Sequence, residues 1–428
     1  MAIGPIQLLR QATSAQRRTL LAAALGWMLD SFDAMLYALV LAHVMRDFGM
    51  SKATAGLLYT LTLVASGIGG VLFGFIADRI GRKRALMLSI LTYSICSFAS
   101  GLSTGVVSLA IIRFILGLGM GGEWNTGATL VAETWPDDLR AKAIALVQSS
   151  WAIGFALAAL VAGIVLRYAN WRAVFFVGIL PAVLTLWIQS PVPESEMWEK
   201  QKLLRARVPS RSSDSEAGKS FESIGDSFLN ILRPPYLKST LTLLFLNFFG
   251  MFGWWGLFTW LPPYLSLPLE QGGRGFGVMG TTSLLVVLNL FGMFPGYASF
   301  GWVADHLGRR RSFMLYTFAA ALLVPLYAMA RSPAVLLVLG TVVAFFATGF
   351  FSGSGIVGSE IFPTSVRARA LGFTYNGART MSSLAPVTIG WVGQMKGLSW
   401  AFYLCAIAFF LASLMATQLP ETKGKSLD

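Results

Sequence analysis

Five ionisable residues interrupt long apolar stretches of this 428-residue chain: Asp30, Asp33, Arg113, Glu123 and Arg379. A charge inside a strongly apolar segment is costly, so its presence there points to a functional role. A desolvated aspartate beside an arginine is stable as an ion pair only while the aspartate is ionised. Protonation would release the arginine to bind another carboxylate. Residues of these types can therefore exchange a proton for an anion.

The elements that must position these residues are segments long enough to cross a lipid bilayer. Hydrophobic residues make up 55% of the chain and charged residues 12%, whereas a soluble domain carries about 25% charged residues. A membrane helix needs ~20 mostly apolar residues, and a membrane barrel shows ~10-residue alternating segments instead. The sequence therefore predicts an all-α polytopic membrane protein with twelve spans, near residues 19–42, 54–77, 84–102, 106–130, 141–166, 171–190, 238–265, 278–304, 312–330, 334–357, 368–394 and 399–418.

A hydrophilic stretch rich in Ser, Glu, Lys and Arg separates the spans into two groups of six. We expect a first half at 1–190, a cytoplasmic linker at 191–236 and a second half at 237–428. Most Lys and Arg residues fall on the side of the N-terminus, which places both termini in the cytoplasm. The same bias explains the net charge of +13 without a nucleic-acid partner. The first apolar run is too long for a signal peptide and is interpreted as the first span.

The strongest pattern is an internal repeat at a constant shift of 227 positions. Four separate motifs of the first half recur in the second: Gly74-x3-Asp78-x2-Gly81-Arg82 as Gly301-x3-Asp305-x2-Gly308-Arg309, Glu133-x2-Pro136-x3-Arg140 as Glu360-x2-Pro363-x3-Arg367, Pro193-Glu194-Ser195 as Pro420-Glu421-Thr422, and Gly26-Trp27 as Gly253-Trp254. Repetition at one shift indicates two duplicated units of the same topology, related by an axis along the membrane normal.

The repeated loops carry residue types suited to a gate at the predicted cytoplasmic ends of the helices. Glycine permits a tight turn, and aspartate can pair with a basic group or a helix N-terminus of the other half. Membrane anchoring by basic residues would explain residues 82–84 but not the repeated Asp and Gly spacing. The predicted gate residues are Asp78, Arg82, Glu133 and Arg140, with Asp305, Arg309, Glu360 and Arg367 as their counterparts.

These motifs resemble those of the major facilitator superfamily. The stretch 74–84 is similar to its signature loop, and 301–311 to the second copy. The resemblance covers essentially the whole chain and implies a monomer with alternating access around a central site. Asp30-Ser31-Phe32-Asp33 is similar to the D-G-[FY]-D element of the aromatic acid:proton and sialate:proton symporters, with Ser31 where glycine is usual. The run from Arg113 to Trp124 resembles the fourth helix of the sialate, monocarboxylate and related symporters.

Depth along the helices suggests which charges meet. At ~1.5 Å per residue, Asp33 in the first helix and Arg113 in the fourth lie at similar depth. Both helices face the central cavity, as the resemblance implies. Asp30, Asp33 and Glu123 are the proton-coupling candidates, because His43 and His306 fall at helix ends or in loops. A static structural pair remains an alternative for Asp33 and Arg113, and an inner-gate ion pair remains one for Glu123. Asp30 could instead satisfy a neighbouring backbone or hydroxyl group without titrating, and Arg379 could pair with an acid of the first half across the interface.

The second half lacks matching acids, which suggests that it contributes substrate contacts instead. A shift of 227 maps Asp30 to Leu257 and Asp33 to Trp260. Amide and indole donors can hold hydroxyl or carboxylate oxygens, although Trp and Tyr also serve as belt or packing residues. With Arg113 and Arg379 as the cations, the other substrate-binding candidates are Asn247, Trp254, Trp255, Asn289, Tyr375 and Asn376.

These observations predict a proton-coupled symporter that imports a small organic anion, such as a sialate, a lactate-like acid or an aromatic acid. A facilitator, exchanger or drug-type exporter without proton symport is the alternative within transporters. An enzyme is disfavoured because the sequence has no nucleophile–base pair, metal-ligand spacing or phosphate loop. No cofactor or metal is expected. Cys96 and Cys405 lie in apolar stretches and indicate no disulfide framework.

Overall fold

The computed structural model describes residues 12–189, 192–195, 198–199 and 230–423, apart from the side chains of residues 137, 138, 141, 230, 364, 365, 368 and 369. The predicted linker at 191–236 therefore lies mostly outside the described residues. The twelve predicted spans are confirmed as helical spans, several of them longer than the apolar runs alone suggested. Ten helices in the described ranges are long and apolar enough to cross a membrane, and the more polar third and eleventh spans complete the set.

The first six spans are α1 Ser14–Asp47, α2 Lys52–Ile80, α3 Arg82–Ser100, α4 Val106–Thr134, α5 Asp137–Tyr168 and α6, which consists of Trp171–Val177 and Pro181–Gln189. The next six are α7 Leu237–Ser266; α8, which consists of Val278–Val287, a π-helical turn Leu288–Met293 and Phe294–Leu307; α9 Arg309–Met329; α10 Pro333–Ile361; α11, which consists of Thr364–Ser382 and Ala385–Lys396; and α12 Leu398–Ala416. Short 3-10 turns cover Asn230–Leu232 and Leu269–Gln271.

Three spans that the sequence suggested as continuous are interrupted, and each interruption lies next to a proline. Pro181 begins the second segment of α6, Pro295 follows the π-helical turn of α8, and Pro386 lies in the first turn of the second segment of α11. Proline lacks the backbone N–H of a helical hydrogen bond and its ring crowds the preceding turn. The chain responds by widening or restarting the helix at these positions.

Helix packing repeats between the two groups of spans. In the first group α4 packs on α2 and α3, and α1 packs on α5. In the second group α10 packs on α8 and α9, and α7 packs on α11. The glycines of α4 allow this close approach, since a Cβ on Gly119 would lie 2.8 Å from the backbone nitrogen of Tyr93.

The two groups meet along α2 with α11 and along α5 with α8. The tightest contacts are at the end of the bundle opposite the linker. There Lys52 Nζ donates to the carbonyl of Gln271 at 2.6 Å, and the backbone N–H of Ala53 donates to Gln394 Oε1 at 3.3 Å. A Cβ on Gly56 would lie 2.9 Å from the Cα of Val387. Backbone contact across the interface therefore closes this end.

At the linker end, the turns between α2 and α3 and between α8 and α9 depend on glycine. Gly81 has φ 105° and Gly308 has φ 94°, values that residues with a Cβ rarely adopt. The neighbouring carboxylates of Glu194 and Glu421 occupy the space in which a Cβ would lie. Both turns are therefore restricted to glycine by conformation and by packing.

We expect Gly81→Ala to lower the free energy of unfolding by about 1–3 kcal/mol, the usual cost of a strained backbone conformation. Thermal unfolding of the detergent-purified protein measures this as a lower Tm. Gly74→Ala is the matched control, because nothing lies within 4 Å of a Cβ at that position. Equal Tm values for the two variants would contradict the assignment.

Candidate functional site

A pocket with about 310 Å³ of empty space, open solvent included, lies between the two groups of spans; we call it the cavity. Both groups contribute to its wall, with α1 and α5 on one side and α7, α8, α10 and α11 on the other. The lining residues are Trp27, Gln148, Trp151, Met251, Trp254, Trp255, Tyr297, Phe351, Tyr375 and Arg379. A site built between two packed bundles in this way is a usual place for a small ligand.

Aromatic rings in mutual contact form most of the cavity wall. The ring centroids of Trp27 and Trp151 are 4.7 Å apart, and those of Trp254 and Trp255 are 4.8 Å apart at 85°. Trp151 meets Trp255 edge-on at 5.9 Å and so joins the two groups of spans. Such offset and edge-to-face arrangements are the favoured geometries for aromatic pairs. The wall is therefore largely apolar and consists mostly of aromatic rings in contact with one another.

A small set of polar atoms lies within this aromatic wall. Arg379 is 6% exposed, and its guanidinium carbon is 5.9 Å from the centroid of the Trp27 ring. Its Nη2 has no hydrogen-bond partner among the described residues, and the same holds for the indole nitrogens of Trp27 and Trp151 and for Gln148 Oε1. A guanidinium with two indole N–H groups can bind a carboxylate. The Gln148 oxygen can accept a hydrogen bond from a second ligand group.

Two acids lie beside Arg379, behind the lining residues. Asp30 is on the same turn of α1 as Trp27, and Glu123 comes from α4; they are 0% and 1% exposed. Gly26 leaves room for the Glu123 carboxylate, which occupies the position of its missing Cβ. Arg379 interacts electrostatically with both acids, and the acids repel each other. None of their carboxylate oxygens has a hydrogen-bond partner in the described part of the chain. We call these three residues the central charge cluster.

Asp33 and Arg113 lie elsewhere, inside the first group of spans. Asp33 Oδ1 accepts a hydrogen bond from Ser97 Oγ of α3 at 2.9 Å, and a Cβ on Gly178 would lie 2.7 Å from the same oxygen. Arg113 lies over the ring of Tyr37 with its guanidinium carbon 4.9 Å from the centroid. Both side chains are 0% exposed.

The direct Asp33–Arg113 ion pair predicted from helix depth is not formed. No guanidinium nitrogen of Arg113 has a hydrogen-bond partner among the described residues, although Arg113 still acts on Asp33 electrostatically. Arg113, which was predicted to bind substrate, lies outside the cavity lining. The number of residues along each helix predicts how deep these side chains lie in the bundle. The rotation of α1 about its own axis, however, directs Asp33 towards α3 and α6.

The other substrate-binding predictions divide into two sets. Trp254, Trp255, Tyr375 and Arg379 line the cavity as expected. Asn247 accepts a hydrogen bond from Ser354 of α10, and the Asn289 amide donates to the carbonyl of Leu285 at 2.8 Å. These two amides are engaged within the second group of spans, and Asn376 is also outside the lining.

Sequence reasoning missed six lining residues: Trp27, Gln148, Trp151, Met251, Tyr297 and Phe351. The internal repeat held a signal for two of them. Trp27 is the counterpart of Trp254, and Gln148 is the counterpart of Tyr375, each at a shift of 227. Because repeat-related positions face the same axis, the counterpart of each predicted lining residue was itself a candidate.

The predicted gate residues form two equivalent networks at the linker end. Arg82 pairs with Asp78 at 2.6 Å and with Glu133 at 3.2 Å, while Arg309 pairs with Asp305 and Glu360, each at 2.8 Å. Both networks join helices of a single half, whereas we expected pairing across the halves. The reason is local: each arginine begins a helix four residues after the aspartate, which places the two side chains on the same face.

The repeated Pro-Glu motif completes each network. Glu194 Oε1 accepts the backbone N–H of Arg82 at 2.9 Å, and Glu421 Oε1 accepts that of Arg309 at 2.8 Å. Each carboxylate thus lies at a helix N-terminus, where the unpaired N–H groups favour a negative charge. Partial burial opposes the charge of Glu421, yet these backbone donors hold its pKa below the usual value.

Arg140 and Arg367, the remaining gate candidates, lie in the first turns of α5 and α11. Their backbone N–H groups bond to Pro136 and Pro363, each at 2.9 Å. The side chain of Arg367 donates from Nε to the carbonyl of Phe362 at 3.1 Å. These two residues therefore also occupy equivalent positions in the repeat.

We expect Arg309→Lys to lower the free energy of unfolding by about 1–3 kcal/mol, because lysine cannot reproduce the forked contact of Nε and Nη2 with Glu360. Arg310→Lys is the control, since the Arg310 side chain is exposed. Thermal unfolding in detergent compares the two variants, and a Tm loss no larger for Arg309→Lys than for Arg310→Lys would exclude the forked pair as a stabilising contact.

Comparison with known proteins agrees with this architecture. The family model described as Major Facilitator Superfamily matches residues 23–281 and 273–427. A putative metabolite transport protein of Haemophilus influenzae is 32% identical over 96% of this chain and 98% of its own length. A probable 4-methylmuconolactone transporter of Cupriavidus pinatubonensis is 33% identical over 96% and 92%, and a sialic acid transporter of Escherichia coli is 31% identical over 94% and 93%.

Solved structures share the fold at lower sequence identity. The crystal structure of a D-xylose-proton symporter superimposes with a TM-score of 0.75 at 20% identity, covering 96% of this chain and all of the other chain. At this identity the likeness concerns the arrangement of helices alone.

Proposed function

This chain belongs to the Major Facilitator Superfamily, and on that premise we propose that it is a proton-coupled symporter that imports a small organic anion, a monocarboxylate, by alternating access. As a member of this superfamily it is a multi-pass membrane transporter and not an enzyme. To this assignment the proposal adds the substrate class, the coupling ion and the direction of transport. It also places the protein in the cell inner membrane as a monomer, with both termini in the cytoplasm, in line with the positive-inside bias.

The observation that carries the proposal is the position of Arg379. It is the cation of the cavity lining, and within the described residues two carboxylates without hydrogen-bond partners lie close to it. A buried guanidinium is a strong ligand for a carboxylate because each N–H···O bond to it is charge-assisted. An anionic substrate would therefore compete with Asp30 and Glu123 for the same positive charge.

This competition provides the coupling. When the substrate carboxylate reaches Arg379, three negative groups surround one guanidinium, and the low-dielectric surroundings penalise the excess charge. Protonation of Asp30 or Glu123 relieves the penalty. Asp33, which lies one helical turn beyond Asp30 and interacts with it electrostatically, is placed to pass a proton on.

The aromatic wall supports a preference among carboxylates. Ring faces of Trp27, Trp151, Trp254 and Trp255 can stack on a planar or conjugated acid. A polyhydroxylated acid would need hydrogen-bond partners for each hydroxyl, and besides Arg379 and the indole N–H groups that would bind the carboxylate, the lining supplies the side chains of Gln148, Tyr297 and Tyr375. Within the range of sialate, lactate-like and aromatic acids, we therefore place the aromatic and unsaturated acids first.

We expect Arg379→Ala to weaken carboxylate binding by about 1.5–3 kcal/mol, or roughly 10- to 150-fold in affinity. A thermal-shift screen of benzoate, 4-hydroxybenzoate, nicotinate, lactate and sialate measures it, because a ligand that binds the native state raises the Tm. Arg331→Ala, an exposed arginine next to α10, is the matched control. Retained stabilisation in Arg379→Ala would place the anion site elsewhere.

We expect uptake into proteoliposomes to increase when the outside is more acidic than the inside. The double variant Asp30→Asn/Glu123→Gln should make uptake insensitive to that gradient, because it removes both acids that act directly on Arg379. Radiolabelled uptake of the best carboxylate of the screen measures both effects, with protein-free liposomes as the correction for passive entry. Uptake that is identical with and without a pH gradient in the wild type would favour a facilitator or exchanger.

A further inference from the structure

Among the described residues, the buried charged side chains include more acids than arginines. They are the five residues Asp30, Asp33, Glu123, Arg113 and Arg379, with exposures between 0% and 6%. Three are acids and two are arginines. Because they come from α1, α4 and α11, they lie around the cavity and the interior of the first half.

These five side chains are electrostatically connected. Arg379 acts on Asp30 and Glu123, Asp30 acts on Asp33, and Asp33 acts on Arg113. All five side chains are buried, and the series runs from the cavity into the interior of the first half. A charge gained or lost at one member changes the energy of the others.

The other titratable groups near this series are phenols and one thiol, types that are ordinarily neutral at physiological pH. They are Tyr37 on α1, Tyr59 from α2, Tyr93 and Cys96 from α3, Tyr297 from α8 and Tyr375 from α11. The two histidines are remote from the cluster along the chain, since His43 lies near the end of α1 and His306 in the last turn of α8. The charge of the buried set is therefore decided by its own five members.

We propose that this set is kept electrically neutral, so that the protein holds one proton when empty and takes up one further proton for each negative charge of the substrate. The inference rests on the proposed function and adds its stoichiometry. Arginine stays protonated in proteins, which fixes two positive charges. Three ionised acids would leave an excess negative charge in a low-dielectric interior, and one proton on a carboxylate oxygen removes it.

The same requirement for electrical neutrality applies when the substrate binds. A monocarboxylate brings one negative charge to Arg379, and a second proton from the water on the open side converts another carboxylate to the neutral acid. The loaded set is again neutral: two arginines, one ionised acid, two protonated acids and one substrate anion. On the other side the anion and one proton leave together, so transport of a monocarboxylate moves no net charge.

The primary experiment measures proton uptake linked to binding on the wild-type protein in detergent. The probe is the tightest-binding acid of the benzoate, 4-hydroxybenzoate, nicotinate, lactate and sialate panel. Calorimetry in buffers of different ionisation enthalpy, at a pH where the free acid is ionised, should give about one proton taken up per bound anion. The uncharged amide of the same acid, if it binds, should take up none. A value near zero or two for the acid would overturn the proposal.

Proteoliposomes test the same balance during transport. Uptake should follow the pH gradient, with about tenfold accumulation of the anion per pH unit when one proton is carried with each anion. A potassium diffusion potential should leave this accumulation ratio unchanged. Accumulation that follows the membrane potential would contradict electroneutrality while leaving proton symport intact. Uptake that ignores the pH gradient would instead contradict the proposed function itself.

A pair of variants tests the count of acids. Asp33→Asn leaves two acids and two arginines, so binding of the anion should still take up one proton. The double variant Asp30→Asn/Asp33→Asn leaves Glu123 with two arginines, a net positive set that the anion alone neutralises. It should bind the anion with no proton uptake and carry it as a net charge. Proton uptake of the same size in both variants would refute the counting.

Discussion

The arrangement of the buried side chains depends on the free-energy cost of placing a charge where water is excluded. Outside the bilayer an unpaired aspartate is unremarkable, but between packed helices it must be balanced by a cation, a hydrogen bond or a proton. This chain places its buried acids on α1 and α4 and balances them with Arg113 and Arg379. The buried acids therefore come from the first group of spans, and their cations come from both groups.

Closure of the bundle depends on small residues and on backbone contact rather than on charge. At the end opposite the linker, Gly56 and Gly390 let α2 and α11 approach until backbone atoms touch. At the linker end, charged networks tie α2, α3 and α4 together and, separately, α8, α9 and α10. Each half is thus internally braced by ion pairs, and the interface between the halves is closed by packing.

The internal repeat explains why the two halves are alike in packing and unlike in chemistry. The glycine turns and the arginine networks recur in geometry as well as in sequence, since both are needed to fold each unit. The cavity departs from the repeat: the acids are found in the first half, whereas Arg379 comes from the second and corresponds to Ala152. Opposite charges from different halves meet at the cavity, so the charge balance depends on how the halves are joined.

The sequence by itself determined the twelve spans, the duplicated motifs and the presence of three acids and two arginines within apolar segments. Length, periodicity and hydropathy fix these features because a bilayer accepts few alternatives to a long apolar helix. Four of the residues that the sequence indicated for substrate binding, Arg379, Trp254, Trp255 and Tyr375, line the cavity between the two groups of spans. Only the tertiary structure decided which charges face the cavity. Depth follows from the number of residues along a helix, but direction depends on helix rotation, which packing sets. That is why Asp33 faces Ser97 rather than Arg113, and why the contact of Trp151 with Trp27 in the aromatic wall became visible only in three dimensions.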